Sequence, residues 1–559
     1  MIVDYLEGSA AAELDADICI VGAGAAGIAM ARSFIGTPLR VCLLESGGLA
    51  GERSSQALYE GHSSDDGLPF DPGTSRMRAF GGSCNLWGGG CIPLSALDLC
   101  PREWVAHSGW PIAATDLEPY YRRARDICRI QAHPIDGLGF GSMPARAPIS
   151  FDAGTLTNQI FIRAPVLFGR DYLDELAHEP NVTVLLHANL LELDIAPGGD
   201  AVRGARIGSL GGHRGVVRAR HYVLACGGIE NARLLLLSDA VVPGGPGNAH
   251  DLVGRYFMDH PSGKLGTVAC GALDRLVRPY DRERARGTVP IPEICLSEQA
   301  QRTHRLLSGR VHPFAVEGPV PRGLRALRGL RKAMRPVAGD EASRLESDLF
   351  AATRNEALPE ARADAGSWAR LAMQLGLGMG DVAWALVRKK ADKPAVRSSH
   401  VDLVGYFEQA PNPHSRVTLG QDRDALGQRK VCIDWRLTAL DRHTYRTAAH
   451  LFGDELARAC GGRFQPEPWV DADDGTPPRV QGTAHHLGTT RMADDPRHGV
   501  VDRHCRVHGM DNLHIAGSSV FPTGGWAFPT FTIVALSLRL ADRLQALCAQ
   551  PAVAAVLSV

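Results

Sequence analysis

Near the start of the chain, in "ADICIVGAGAAGIAMARSFIGTPLRVCLLESGG", three glycines at Gly22, Gly24 and Gly27 precede an acid, Glu45, by about twenty residues. This spacing serves one chemistry, the holding of a dinucleotide. The first glycine permits a tight turn, the second lets backbone approach a pyrophosphate, and the third lets a helix pack close on a sheet. Glu45 then stands where a carboxylate accepts hydrogen bonds from a ribose hydroxyl pair. A second stretch, "RMRAFGGSCNLWGGGCIPLS" over 76–95, is dense in glycine yet carries Phe80, Leu86 and Trp87, a composition suited to backbone lying against a flat ring system.

These residues require elements to position them. The pattern predicts a strand over 18–21, a helix over 25–34 and a strand over 40–44, with the positive helix N-terminus facing the phosphates. The fingerprint alone does not choose NAD over FAD. In "RARHYVLACGGIENARLLLLS" a buried strand, a turn at Gly227 and Gly228 and a helix starting near Glu230 form a second edge able to close over a cofactor. Upstream of it, "NVTVLLHANLLELDIAPGGDAVRGARIG" predicts strands joined by a hairpin turn near Gly198 and Gly199. From about 255 to 480 the texture changes to mixed strand and helix patterns. There "GYFEQAPNPHSRVTLG" reads as strand, proline-rich turn and strand, and 430–460 as a strand followed by a long helix of period 3.6.

At 559 residues the chain exceeds one ordinary core, so two or more domains are expected. Its 60 basic and 61 acidic residues nearly balance, which argues against a nucleic-acid partner. The thirteen cysteines are scattered without C-x-x-C pairs, and Cys19, Cys42 and Cys226 fall in apolar runs, so they read as reduced thiols. With an N-terminus lacking a basic region before an apolar run, a cytoplasmic location is expected. The apolar region 371–387 is interrupted by Gln374, Asp381 and three glycines, unlike a spanning helix. His504, His508 and His514 lack the spacing of a metal site, and no metal is expected.

These pieces in this order resemble the glucose-methanol-choline (GMC) family of FAD-dependent oxidoreductases over nearly the whole chain. The matching parts are the Gly22/Gly24/Gly27 fingerprint with Glu45, "GGSCNLWGGG", "PNPHSRVTLG", "HHLGTTRM", and "VVDRHCRVHGMDNLHIAGSSVFPT" with its downstream helix. The resemblance implies an α/β fold: a Rossmann-like FAD-binding domain with an inserted α+β substrate-binding domain of antiparallel sheet plus helices. The FAD-binding part is assigned to 14–265, with part of 96–180 contributing to the substrate domain. The substrate domain follows over 266–480, and 481–550 returns to the FAD domain.

The resemblance further implies oxidation of an alcohol, the hydroxyl proton passing to a histidine and hydride to the flavin. That histidine is His485 in the H-x-x-G-T pattern, a residue type whose ordinary pKa suits proton exchange near neutrality. His486 is the competing candidate and is otherwise assigned to the substrate pocket. FAD contacts are assigned to Gly22, Gly24, Gly27, Glu45, Gly81, Gly82, Asn85 and Trp87. Gly517 and Ser518 join them at the end of the strand flanked by Asp502 and Asn512.

Two positions depart from the family pattern. Some members bond FAD covalently through a histidine at the position held here by Leu86, so FAD is expected to be non-covalent. Where members carry a second His or Asn beside the substrate hydroxyl, this chain has Phe528, which can neither donate nor accept that bond. Phe528 thus either shapes a pocket for a hydrophobic or aromatic alcohol, or marks altered chemistry such as that of the flavin-containing hydroxynitrile lyases, or is replaced locally by a neighbour such as Trp526.

Finally, "PRGLRALRGLRKAMRP" predicts a basic helix over 322–335, with Arg322, Arg325, Arg328 and Arg331 on one face and Leu324, Leu327 and Leu330 on another. Its readings are a solvated cap on the substrate domain, a membrane-surface contact, or a dock for an acidic carrier protein that delivers a tethered substrate. The stretch 366–390, rich in Met, Trp and Leu, reads as a lid beside it or as core packing.

Overall fold

The computed structural model describes residues 1–6, 13–131, 135–136, 139–140, 148–271, 273–280, 290–334, 340–354, 365–390, 394–472 and 476–550. Its first sheet is built on Glu13–Val21, whose buried end Ile18–Val21 pairs in parallel with Val41–Leu44 on one side and Arg214–Leu224 on the other. Val182–Leu186 and Ile2–Asp4 continue the sheet beyond Val41–Leu44, also in parallel, so it includes a strand ahead of residue 14. Beyond Arg214–Leu224 the sheet turns antiparallel through Val202–Gly208 and Asn189–Ile195, the hairpin expected at Gly198 and Gly199. Leu513–Ile515 returns from the far end of the chain to pair in parallel with Arg214–Leu224. Parallel strands covered on both faces read as continuous apolar runs, as "ICIV" and "VCLL" do. The covering helices include Ala25–Ser33, Ala114–Ile127 and the C-terminal Pro529–Ala549, which pack together in the main core.

Among the described residues a second sheet has seven strands and is antiparallel throughout. Its order is Arg463–Pro466, Ser262–Ala269, Ser398–Phe407, Gly309–Glu317, Pro290–Leu296, Leu156–Arg163 and Gly90–Cys91. Helix Ala439–Cys460 starts from a capping box at Thr438 and Asp441 and buries Tyr445, Phe452 and Leu456 against this sheet. The fold is therefore mixed α/β, a Rossmann-like parallel sheet with a separate antiparallel sheet. The antiparallel sheet takes in Ser262, ahead of 266, and is completed by Leu156–Arg163 from within 96–180 and by Gly90–Cys91. The hairpin Arg416–Arg423/Arg429–Asp434 instead pairs with Gly61–Ser63 and buries Val417 and Ile433 with Ile229 and Phe257.

The basic helix runs Arg322–Ala333, shorter than 322–335, with residue 335 outside the described residues. The apolar stretch after it forms two helices, Ala365–Leu377 and Met379–Lys390, broken at Gly378. Gly378 and Gly323 approach so closely that a Cβ on either would strike the other's backbone. Most large apolar side chains of these two helices are exposed, so core packing does not account for them. Among the described residues no helix is long and apolar enough to cross a membrane.

Candidate active site

One cavity of about 1010 Å³ runs between the two sheets, lined at one end by Gly22, Gly24 and Glu45 and at the other by His485, Phe528 and Phe161. Its size matches the upper end of ligand pockets, about 300–1,000 Å³. At the fingerprint, Gly22 has φ +102° and a Cβ there would lie 2.8 Å from the Ala225 carbonyl. A Cβ on Gly27 would run into the Gly22 carbonyl, whereas Gly24 faces open space at the start of helix Ala25–Ser33. This is the cradle a pyrophosphate needs: backbone and a helix N-terminus with no side chain in the way. Glu45 is buried and accepts hydrogen bonds from Ala23 N (3.1 Å) and Gly47 N (2.8 Å). Burial pushes its carboxyl up, against the pull of those two N–H groups.

At the loop 76–95, Gly82 and Trp87 line the cavity, and Trp87 Nε1 donates to the Val166 carbonyl at 2.8 Å. Asn85 turns away from the cavity. Its Nδ2 donates to the Phe80 carbonyl (2.8 Å) and its Oδ1 accepts from Gly169 N (3.2 Å), so it pins the loop. Gly81 likewise serves the loop, donating from its N–H to the Ala23 carbonyl at φ +97°. Leu86 lines the cavity and packs beside Met77, Ala79, Leu345 and Leu349.

At the other end, His485 follows Ala484, a non-glycine residue held at φ +60°. The turn persists because the buried Asp259 carboxylate gathers its N–H groups: Thr483 (3.2 Å), Ala484 (3.1 Å) and His485 (2.9 Å), together with His260 N (2.6 Å). Burial raises Asp259 to about 6, opposed by these same bonds. His485 Nδ1 lies 2.9 Å from His260 Nδ1 and 3.1 Å from Thr483 Oγ1. That leaves Nε2 as the ring nitrogen available to a ligand in the cavity. Burial holds His485 well below the usual histidine range, helped by His260 and Arg310, and burial with Arg310 lowers His260 to about 4. Both rings are therefore neutral at neutral pH.

Phe528 forms the wall opposite. Its ring centroid is 6.1 Å from that of His485 and 5.1 Å from that of Phe161, both edge-on. On strand Gly90–Cys91 a Cβ at Gly90 would enter the Phe528 ring, so the phenyl group requires glycine there. Behind Phe528 the Arg310 guanidinium sits 5.0 Å from the ring centroid and 3.9 Å from that of Tyr406, and it pairs with buried Glu293 at 2.9 Å.

A family model described as GMC oxidoreductase matches residues 411–537, the part of the chain that carries His485 and Phe528. The chain is 25% identical to 6'''-hydroxyparomomycin C oxidase of Streptomyces lividus, over 94% of this chain and 90% of the relative. Paromamine 6'-oxidase of Streptomyces fradiae is 26% identical with the same coverage. Among solved structures, a formate oxidase superposes with a TM-score of 0.53 over 96% of this chain and 99% of its own, at 18% identity. Pyridoxine 4-oxidase from Mesorbium loti does so with a TM-score of 0.50 over 95% and 99%, again at 18% identity.

The chain belongs to the GMC oxidoreductase family.

Within this GMC oxidoreductase the sequence-assigned residues separate into those that meet at the cavity and those that do not. Gly22, Gly24, Glu45, Gly82, Trp87, Gly517, Ser518, His485, His486 and Phe528 all line it. The open space at Gly24 and the acid at Glu45 fit FAD, the cofactor of the family. Gly27, Gly81 and Asn85 act from behind, through helix packing and loop shape. Trp526 is corrected from pocket residue to support: it is buried behind Phe528, with ring centroids 6.3 Å apart, and does not line the cavity. His486 lines the cavity beside His485 and also packs against Phe257 and Phe70; its carbonyl accepts from Ser518 Oγ at 2.6 Å, and burial lowers its ring to about 3. Asp259 and His260, absent from the sequence assignment, are the two residues that shape the His485 turn. The signal available was "FMDHP", a charged and a titratable residue set in an otherwise apolar entry to a strand. Among the described residues no cluster of His, Cys, Asp or Glu is arranged to hold a metal ion.

Proposed function

We propose that this GMC oxidoreductase oxidises the carbinol of an alcohol whose reacting end is apolar or aromatic, with His485 as the base. FAD when bound supplies the hydride acceptor. The observation that carries the reading is the engagement of His485 Nδ1 by His260 and Thr483, which presents Nε2 to the cavity. With the Nδ1 proton shared toward His260 Nδ1, the Nε2 lone pair takes the hydroxyl proton, and His260 stays hydrogen-bonded to the imidazolium that forms. His260 is a positioning residue: it selects the tautomer and ring orientation of His485 without touching substrate. Asp259 holds the backbone turn that delivers the ring.

Phe528 and Phe161 close the reacting end with hydrocarbon, so orientation there comes from shape, and a flat or branched apolar group is held better than a small polar one. FAD is proposed to be bound non-covalently, since the Leu86 side chain offers no atom for a bond to the ring. The free state of all thirteen cysteines supports a reducing, cytoplasmic setting. A second reading of the substrate is favoured by the two full-length relatives, whose names place their oxidation on paromamine-type compounds, so that a polyhydroxylated amine enters instead.

Anaerobic titration of the yellow protein with aromatic alcohols, aliphatic alcohols, sugars and aminosugars separates these readings. The proposal expects bleaching of the flavin band by the apolar classes. It also expects Phe528→Asn to shift preference toward polar alcohols by about tenfold or more. Bleaching by aminosugars alone, unchanged in Phe528→Asn, would favour the second reading.

A further inference from the structure

The helices after the Gly309–Glu317 strand leave an apolar surface that the catalytic account does not use. On Ala365–Leu377 and Met379–Lys390, Met373 is 61% exposed, Leu377 84%, Met379 58%, Trp384 59%, Leu386 59% and Val387 56%. Met373 and Leu377 are four apart, and Met379, Leu386, Trp384 and Val387 fall on one side of the next helix, so each helix offers a coherent face. Soluble surfaces scatter such residues singly, whereas a contiguous patch marks a contact. Basic side chains flank this surface. Helix Arg322–Ala333, packed across both, exposes Arg322, Arg325 and Arg331, and the last turn of Met379–Lys390 adds Lys389 and Lys390. Among the described residues, the acids on the adjoining strand and helix are engaged. Glu317 pairs with Arg328 at 2.5 Å, and the Asp381 carboxylate accepts from Gly323 N at 3.1 Å.

We propose that these three helices dock the enzyme on the surface of an anionic lipid bilayer, the apolar side chains entering the headgroup boundary and the basic ones meeting lipid phosphates. Exposed Trp, Leu and Met beside clustered Arg and Lys is the pattern of an interfacial helix. At 13 and 12 residues the two apolar helices span about 20 Å each, too short to cross a bilayer core of about 30 Å. The contact is therefore peripheral. An acidic protein would satisfy the arginines and leave Trp384, Leu386 and Val387 in water, and a second copy of this chain would oppose like charges. The docking face also adjoins the cavity. Phe314, 42% exposed, lines the cavity on the same strand as Glu317 and about 10 Å from it, so a docked enzyme opens an apolar mouth near the lipid. An apolar substrate entering from lipid would rest on the substrate class proposed above; the docking itself does not.

The test is flotation of the purified holoprotein with phosphatidylcholine vesicles, with and without about one-third phosphatidylglycerol, at low and high salt. The wild type is expected to float with the anionic vesicles and to be released by salt. Arg322→Gln/Arg325→Gln/Arg331→Gln should weaken partitioning about a hundredfold, at about fivefold per charge. Trp384→Glu/Val387→Glu should abolish it, with FAD content and turnover of a soluble alcohol unchanged. If the glutamate variant fails to fold, the arginine variant and the salt dependence carry the test. Failure of the wild type to float at low salt, or flotation indifferent to both variants, would overturn the proposal. Concentration-dependent dimers that Trp384→Glu returns to monomers, without flotation, would also overturn it by assigning the face to a second copy.

Discussion

The most informative perturbation is Asp259→Asn. Asp259 Oδ1 accepts from Thr483 N, His485 N and His260 N, and Oδ2 accepts from Ala484 N. An amide retains one oxygen and turns an NH₂ toward whichever N–H faced the other, leaving at least one buried donor unsatisfied at about 1–3 kcal/mol. If the turn relaxes to relieve this, His485 moves with it, and the same energy in the transition state lowers the reductive rate about 5- to 150-fold. The pH profile makes the argument sharper. Folding raises Asp259 to about 6, above its ordinary carboxylate value. Its contribution to stability is therefore fully present below the unfolded pKa and is lost as pH rises through about 6. Activity runs the other way, because the protonated carboxyl turns an O–H toward the donors that shape the turn. The rate of flavin reduction, followed anaerobically by rapid mixing from pH 5 to 8, should fall on the acid side near pH 6 in the wild type. It should be lower and flat in Asp259→Asn. His485 itself titrates well below the usual range and does not supply that limb. An unchanged limb in the variant, or a wild-type rate at pH 8, would refute the reasoning.

Two further outcomes follow from the packing. Gly90→Ala should displace the Phe528 ring and lower both stability and rate, and combining it with Phe528→Leu should recover part of the stability loss, a coupling read by a double-mutant thermal cycle. Acid precipitation of the holoprotein should release the yellow colour entirely to the supernatant, and flavin kept in the pellet would contradict the role given to Leu86.

The sequence revealed the cofactor end better than the reacting end, for a physical reason. Gly22 and Gly27 are demanded by backbone geometry within a single strand–turn–helix unit, and Glu45 by the next strand, so spacing alone carries them. The His485 turn is different: Asp259 and His260 lie more than two hundred residues upstream and meet it only when Met258 pairs with Leu487 across the fold. Phe528 was legible as an anomaly, but its partner Gly90 was not, since their contact joins residues over four hundred apart. Asn85 and Trp526 show the converse limit. A residue inside a ligand-binding motif can serve the motif's own shape, and only their hydrogen bonds and ring contacts, not their position in the chain, distinguish the two uses. The apolar composition of 366–390 did not tell a lid from core packing, because which side is left uncovered depends on close approaches such as that of Gly323 and Gly378.

The central claim is that His485 is the base, and the most direct measurement compares His485→Ala with the wild type in anaerobic rapid mixing against the best alcohol from the panel. The account predicts FAD bound at the wild-type ratio and flavin reduction slowed about 10²–10⁴-fold. Reduction within a few-fold of the wild-type rate, with FAD equally bound, would contradict it.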